Sequence, residues 1–370
     1  MMDTRTSRAS RQLLHALSHP YVLFLLVALA IWLPQGFNIG PVNDGWINLS
    51  SGFLRGDPTR VFGNLPIRLG RLISPRNFVG IQLVILTMVL LHATLFYEIV
   101  KRLLPGRCLI ALAAGLIGLF HNADRSYFWV GAMGLQFSLA TALGSALCAI
   151  LYLDQGRRRY LFATLALQLV SVCTYPAFVP LILGVPFGAW LLRRFSGARP
   201  SVSLLPKIGL VLVAAGCMYA YMLHLGAGHN AKVADVRLAA ALSGYTWALK
   251  SLFRSVSIAL EDLQPGYYLM ALLAAVLAFP AVAAAAGSDQ SRPPGPLYGW
   301  RYLGVVLIGL LLLALASYLP YSISNIRYQN SRTLLACGMF AYTALLIVLL
   351  AWVQPRVHKT VLILLVMMLT

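Results

Sequence analysis

The stretch at residues 78–100, FVGIQLVILTMVLLHATLFYEIV, decides the fold class of this chain. It is apolar over nearly its whole length, and Glu98 is its single Asp, Glu, Lys or Arg residue. A helix needs about 20 apolar residues to cross about 30 Å of hydrocarbon, so a stretch of this length can span a membrane. Its composition therefore predicts a transmembrane helix.

The rest of the chain repeats this pattern. Hydrophobic residues make up 59% of its 370 positions and charged residues 11%, which leaves too little polar surface for a globular protein in water. Apolar runs are at residues 19–35, 78–100, 108–120, 127–153, 160–175, 177–192, 206–225, 266–286, 303–320, 333–353 and, incompletely, from 361. We expect an all-α fold, a polytopic transmembrane helix bundle of about 10–11 spans that forms one transmembrane domain over residues 1–370.

The two ends of the chain bear on its boundaries. The basic N-terminus leads into an apolar run that ends at Pro34 without a small-residue cleavage pattern, so we expect an uncleaved first span. The apolar run at residues 361–370 is too short to cross a bilayer. We therefore expect the native protein to continue past Thr370.

The basic residues predict the orientation of the helices. The net charge is +19, but the basic residues lie in short clusters between apolar runs and not on one polar face, which argues against nucleic acid as a partner. Basic residues close to helix ends are retained on the cytoplasmic side, and this rule places 17 of the 29 basic residues inside. We expect a multi-pass protein of a bacterial inner membrane, in contact with membrane lipids and with a cytoplasmic N-terminus.

The junction Tyr175-Pro176 allows either a helical hairpin or one long kinked helix, since proline removes a backbone donor and disfavours helix at the preceding residue. Three arginines, at 157–159, precede this pair of apolar runs, and two, at 193–194, follow it. Both flanks should then be cytoplasmic, which favours the hairpin.

Two predicted external loops are long, at residues 35–77 and 226–265. In the first loop, two sets of apolar residues fall at helical spacing. These sets are Trp46, Leu49 and Phe53, and then Phe62, Leu65, Leu69 and Ile73. We expect two short amphipathic helices on the membrane surface, with Arg68 and Arg71 in reach of lipid phosphates.

Acidic residues on the external side are the candidates for a reaction that needs a carboxylate. The chain has ten acidic residues, and the predicted topology places six outside, including Asp44, Asp57 and Asp124. Asp44 follows the first span directly, where a side chain can lie at the membrane surface and still face the bundle. Each of the three can also cap a helix N-terminus, and the two roles are compatible.

Two further segments are candidates for substrate binding. His121 and Arg125 belong to a polar cluster between the third and fourth spans. This cluster is followed by aromatic residues of the kind found at membrane interfaces. Between the ninth and tenth spans, residues 318–332 are rich in tyrosine and contain Tyr328 beside two arginines, Arg327 and Arg332. Arginine binds phosphate through paired hydrogen bonds, so this segment fits a lipid-linked phosphate, with plain headgroup contact as the alternative.

The remaining reactive residue types give no site. The five cysteines fall in apolar runs without metal-ligand spacing, so the sequence identifies no metal ligands. His92 and His224 lie in or near predicted spans, and we interpret both as hydrogen-bonded packing residues and not as proton relays.

The order of these features resembles the GT-C superfamily of membrane glycosyltransferases. The likeness lies in an uncleaved first span, a long first external loop with Asn43-Asp44 at its start and two surface helices, and many short-looped spans. The segment at residues 318–332 is similar to the region that contacts the lipid phosphate in such enzymes. The resemblance implies inverting transfer of a sugar from a polyprenyl-phosphate carrier to a cell-envelope glycan or lipid acceptor on the external face.

The resemblance also implies roles for individual residues. Asp44 would be the general base that deprotonates the acceptor hydroxyl, with Asp57 and Asp124 as alternatives, and Arg327 or Arg332 would stabilise the departing phosphate. Members of the superfamily often carry a paired acidic motif where this chain has Asn43-Asp44. The requirement for a divalent cation therefore stays open.

Two other functions are alternatives. Arg327 and Gly338 have the R-x10-G spacing of O-antigen polymerase-like proteins, although such a pair also arises by chance in a chain with this many arginines and glycines. A transporter or flippase without covalent chemistry would carry charged groups at mid-bilayer depth, and this chain has few.

Overall fold

The structure of the chain is a computed structural model that describes residues 18–36, 62–76, 78–119, 133–195, 238–261, 300–322 and 334–352. Within these ranges the regular structure is helical throughout, and no strand occurs. The predicted all-α fold is confirmed for this part of the chain.

The described residues form ten α-helices and a 3-10 turn at Pro176–Phe178. The helices are α1 Pro20–Gly36, α2 Leu65–Ile73, α3 Val79–Leu103, α4 Cys108–Leu119, α5 Met133–Gln155, α6 Arg158–Thr174, α7 Val179–Phe195, α8 Leu238–Glu261, α9 Trp300–Ser322 and α10 Leu335–Trp352.

Three of these helices are long and apolar enough to cross a membrane, namely α3, α5 and the Tyr302–Leu319 part of α9. Shorter apolar helices occur at Pro20–Ala30, Cys108–Leu119 and Leu335–Leu349. By length and composition, the helices are those of a membrane protein. The predicted runs at 206–225, 266–286 and from 361 lie outside the described residues, so the full set of spans stays a prediction.

Helix α3 lies at the centre and packs against α1, α2, α4 and α5. On its buried side, the ring of Phe96 meets Phe340 of α10 edge-on, with 5.4 Å between ring centroids. Helix α1 approaches α4 at Gly115, where an added Cβ would meet the ring of Phe24. Small residues permit such close approach of two helices. Close packing matters here because helices in a membrane associate through van der Waals contacts and not through the hydrophobic effect.

Helices α6 and α7 form the predicted hairpin. In one continuous helix with a rise of about 1.5 Å per residue, Arg193 would lie about 50 Å from Arg158. Arg193 instead pairs with Asp154 at the end of α5, with 2.6 Å between Nη2 and Oδ1. Asp154 shortly precedes Arg158 in the chain, so both arginine clusters lie at one end of the bundle.

Polar side chains join α5 to α6 and support the end of α6. The Ser138 hydroxyl oxygen lies 3.0 Å from the carbonyl oxygen of Ser171 and 2.9 Å from that of Tyr175. The Ser171 hydroxyl donates in return to the carbonyl of Ser138 at 2.9 Å, and Ser145 donates to the carbonyl of Thr164 at 2.9 Å. Such bonds hold helices together where the surroundings offer no water.

Helix α2 lies where the second of the two amphipathic helices was predicted, and its location on the membrane surface stays a prediction. It buries Pro66 and Gly70, while Leu69, Leu72 and Ile73 are exposed. Its apolar side chains are therefore free to contact lipid, as a helix on the membrane surface requires. The first predicted amphipathic helix, at residues 46–53, lies outside the described residues.

Helix α8 lies in the segment 226–265, which the sequence predicted as a long external loop. Its apolar positions are interrupted by Lys250 and Arg254, both exposed, so no continuous apolar run marks it. It packs against α9, and the hydroxyl of Tyr342 in α10 donates to the carbonyl of Leu252 at 3.2 Å. The segment therefore contributes a helix that packs on α9 and α10, and its place outside the membrane stays a prediction.

Candidate functional site

The residues that the sequence suggests for catalysis and binding lie in segments that connect helices. The structure describes none of them, because the following all fall outside its described ranges: Asp44, Asp57, Asp124, His121, Arg125, Arg327, Tyr328 and Arg332. Their roles stay predictions. The structure does describe the helix ends that flank each of these segments.

Helix α2 lies where the first of these segments ends. An added Cβ on Gly70 would lie 2.7 Å from the Cα of Ile81, so α2 and the start of α3 are in backbone contact. An added Cβ on Gly134, at the start of α5, would lie 3.2 Å from the carbonyl oxygen of Gly63. The segment that carries Asp57 therefore ends beside the start of α5.

The segment before α5 carries Asp124, His121 and Arg125, and so both polar segments connect to helices at one end of the bundle. We call this end, formed by α2 and the starts of α3 and α5, the α2 end. Its helix starts are close because glycines stand at the contacts and leave room for backbone.

The segment with Arg327 and Arg332 also leaves the bundle at the α2 end. At the start of α9, the hydroxyl of Tyr302 donates to the carbonyl of Leu103, which is the last residue of α3. Helix α9 therefore begins at the opposite end and finishes, at Ser322, on the side where α3 begins. The 3-10 turn between α6 and α7 contacts α9 as well.

An aromatic cluster precedes the segment with the two arginines. Tyr318 is 2% exposed and stacks on Trp247 of α8, with 6.2 Å between ring centroids and 25° between ring planes. Tyr245 lies 5.9 Å from the Tyr318 ring and donates its hydroxyl to the carbonyl of Leu315 at 3.0 Å. Tyr318 is therefore a packing residue that anchors α8, although the sequence grouped it with the tyrosine-rich binding segment.

The buried face of α3 carries two polar side chains. The Nε2 of His92 lies 2.8 Å from the carbonyl oxygen of Gln136. A carbonyl only accepts hydrogen bonds, so Nε2 carries the proton and Nδ1 is an acceptor. His92 thus joins α3 to α5, as a hydrogen-bonded packing residue does. Gln82 is 2% exposed, and its two amide atoms have no hydrogen-bond partner within the described ranges. His224 lies outside the described residues.

The opposite end, which we call the basic end, holds a cluster of paired charges. The Tyr21 hydroxyl donates to Glu98 at 2.6 Å, and Arg102 lies 3.9 Å from Glu98 and 3.7 Å from Asp154. Arg193 completes the cluster through its 2.6 Å contact with Asp154. The cluster links α1, α3, α5 and α7, and its groups neutralise one another, which suits a structural role.

The arginine partners of Glu98 and Asp154 were not predicted from the sequence. A signal was present, because an acid and a base at i and i+4 on a helix, as in Glu98 and Arg102, lie side by side. The pairing of Asp154 with Arg193 has no such signal, since it depends on the packing of α5 against α7.

Among the residues that the structure describes, no group of three or more His, Cys, Asp or Glu side chains could hold a metal ion. The four cysteines within the described ranges form no disulfide with one another, and Cys337 is buried. Comparison with known proteins gives no relative, since no family model, curated protein or solved structure matches the chain.

Proposed function

We propose that this chain is a membrane glycosyltransferase that moves a sugar from a polyprenyl-phosphate carrier to a cell-envelope glycan or lipid acceptor. The observation that supports it best is the position of α2, a surface-type amphipathic helix that follows the first apolar helix and packs on the starts of α3 and α5. A surface helix in the first external loop is the feature on which the resemblance to the GT-C superfamily depends.

The arrangement of the helix ends also supports a shared site. The segments that carry Asp44 and Asp57, Asp124, and the pair Arg327 and Arg332 all leave the bundle at the α2 end. A transferase of this class needs a base and a phosphate-binding group on the same side of the membrane. The proposal therefore has its required residue types on segments that leave from one end.

The proposed chemistry is a single displacement. The acceptor hydroxyl oxygen attacks the anomeric carbon of the donor sugar, and the bond from that carbon to the phosphate oxygen breaks. Asp44 takes the hydroxyl proton, and the electron pair leaves with the polyprenyl phosphate. Arg327 or Arg332 stabilises the negative charge that develops on the departing phosphate, because a guanidinium donates paired hydrogen bonds to phosphate oxygens.

The two rival functions are less well supported by the described residues. Gly338, the glycine of the R-x10-G pair, is buried within α10, whereas the polymerase pattern needs it in an external loop. In the three helices long enough to span a membrane, the described Asp, Glu, Lys and Arg side chains lie near one helix end, at the basic end. A transporter is expected to place such groups at mid-bilayer depth.

A direct test is the lipid that co-purifies with the full chain. We expect mass spectrometry of the membrane-extracted protein to detect a polyprenyl phosphate or its glycosylated form, in a stoichiometric amount. Supplied with a glycosylated polyprenyl phosphate and envelope material, the protein should release the unglycosylated carrier. If folded protein shows no bound carrier and releases none, this result would contradict the proposal.

A further inference from the structure

The basic end carries more positive charge than its carboxylates neutralise. The side chains described there include eight basic residues, at 101, 102, 107, 157–159, 193 and 194, against two acidic ones, Glu98 and Asp154. Arg102 and Arg193 pair with the carboxylates. Arg194 directly follows Arg193, is exposed, and has no carboxylate partner among the residues that the structure describes.

Arg194 belongs to a ladder of stacked side chains on one face of α7. Its guanidinium carbon lies 5.6 Å from the centroid of the Trp190 ring, within the range of a cation–π contact. The Trp190 ring in turn stacks on Phe187, with 5.9 Å between centroids and 24° between planes. Residues 187, 190 and 194 share one face of a helix with 3.6 residues per turn, so they form a continuous strip. We call these three side chains the α7 ladder.

The α7 ladder has the polarity of a phospholipid. Phe187 is 46% exposed and lies further from the helix end, where lipid chains would cover it. Trp190 occupies the position typical of interfacial aromatic residues, between the apolar body and the charged helix end. Arg194 stands at the end of the helix, in the last residues of α7, where lipid phosphates lie. Apolar, amphipathic and cationic groups therefore follow one another in the order of a lipid's chains, glycerol region and headgroup.

We propose that the α7 ladder binds an anionic phospholipid of the leaflet at the basic end, with the headgroup phosphate on Arg194 and an acyl chain along Phe187. Charge complementarity selects an anionic lipid, because the eight basic residues described at this end outnumber its two described carboxylates. The contact of Arg194 with the Trp190 ring uses the face of the guanidinium and leaves the N–H groups at its edge available to phosphate. The proposal is independent of any glycosyltransferase activity.

The arginine next in the chain provides an internal contrast. The Arg193 side chain is 18% exposed and held by Asp154, so its guanidinium serves the helix bundle and not the lipid. Replacement of Arg193 should therefore affect stability, whereas replacement of Arg194 should affect lipid binding alone. Arg158 is a matched control for charge, because it is exposed at the same end but has no stacked ring beneath it in the structure.

The test uses quenching of Trp190 fluorescence in the full chain, reconstituted in phosphatidylcholine vesicles. A small fraction of brominated lipid is added, either brominated phosphatidylglycerol or brominated phosphatidylcholine, and the Trp190 signal is obtained by subtracting the Trp190→Phe variant. The attraction between one arginine and an anionic lipid surface is about 1 kcal/mol, which corresponds to about fivefold local enrichment of anionic lipid. We expect brominated phosphatidylcholine to need about five times the mole fraction of brominated phosphatidylglycerol to quench Trp190 to the same extent.

The variants decide whether the preference belongs to the α7 ladder. Arg194→Gln should abolish the preference for phosphatidylglycerol, and Arg158→Gln should retain it. Equal quenching by the two brominated lipids in the unmodified chain would overturn the proposal. So would a preference that survives in Arg194→Gln, since the site would then lie elsewhere.

Discussion

Replacement of Gly70 by alanine tests the contact between α2 and α3 on which the proposed external site depends. The new Cβ would lie 2.7 Å from the Cα and 2.8 Å from the Cγ1 of Ile81. Optimal carbon–carbon separations are about 3.5–4.0 Å, so the two helices must separate by about 1 Å. The Cα of Ile81 is backbone and cannot rotate away, and such overpacking costs about 1–3 kcal/mol.

Alanine also favours helix over glycine by about 1 kcal/mol, and a matched variant removes this effect. Gly309→Ala, in α9, makes the same change where an added Cβ meets nothing within 4 Å. Equilibrium unfolding in mixed detergent micelles should show Gly70→Ala less stable than Gly309→Ala by about 1–3 kcal/mol. If α2 detaches instead while the bundle stays folded, tryptic cleavage after Arg76 should become faster in Gly70→Ala. If Gly70→Ala and Gly309→Ala have the same free energy of unfolding and the same rate of tryptic cleavage, the contact between α2 and α3 that we describe is refuted.

Three further predictions concern the proposed function and topology. Asp44→Asn should lower the rate of sugar transfer by a factor of about 10²–10⁴ while expression and carrier binding stay intact, because asparagine can cap a helix but cannot take a proton. The control Asp57→Asn, in a capping context, should retain most activity. The reverse outcome would assign the base to Asp57. The double variant Arg327→Ala, Arg332→Ala should lose use of the lipid-linked donor, and full activity would remove the phosphate site from this segment. A topology reporter fused after Arg194 should read cytoplasmic, and an external reading would invert the orientation of the whole bundle.

The helices predicted from apolar runs agree closely with the helices of the structure wherever it describes them. The run at 108–120 corresponds to Cys108–Leu119, and the run at 333–353 to Leu335–Trp352. This agreement has a physical cause. A backbone in lipid must form all its hydrogen bonds internally, and a long apolar segment does so by forming an α-helix. The hairpin at Tyr175-Pro176 was also predictable, because proline interrupts the helix and the flanking arginines belong on the same side.

Helix α8 shows where this reasoning ends. Exposed Lys250 and Arg254 lower its apolar content, and its place in the bundle depends on partners such as Tyr342 that are distant in sequence. The candidate site was predicted only as residue types on external segments. Its residues lie outside the described ranges, and the structure contributes the common end of the bundle from which those segments leave.

The sequence by itself determined that this is an all-α chain with helices suited to a membrane, and where most of those helices begin and end, because apolar length and charge at helix ends are local properties. The tertiary structure decided which faces meet. On α2, the apolar residues Leu69 and Ile73 are exposed, and the contact with α3 is made at Gly70. Lipid and protein interior are equally apolar, so hydropathy cannot distinguish a lipid-facing side chain from a buried one, and only close packing between helices separates the two.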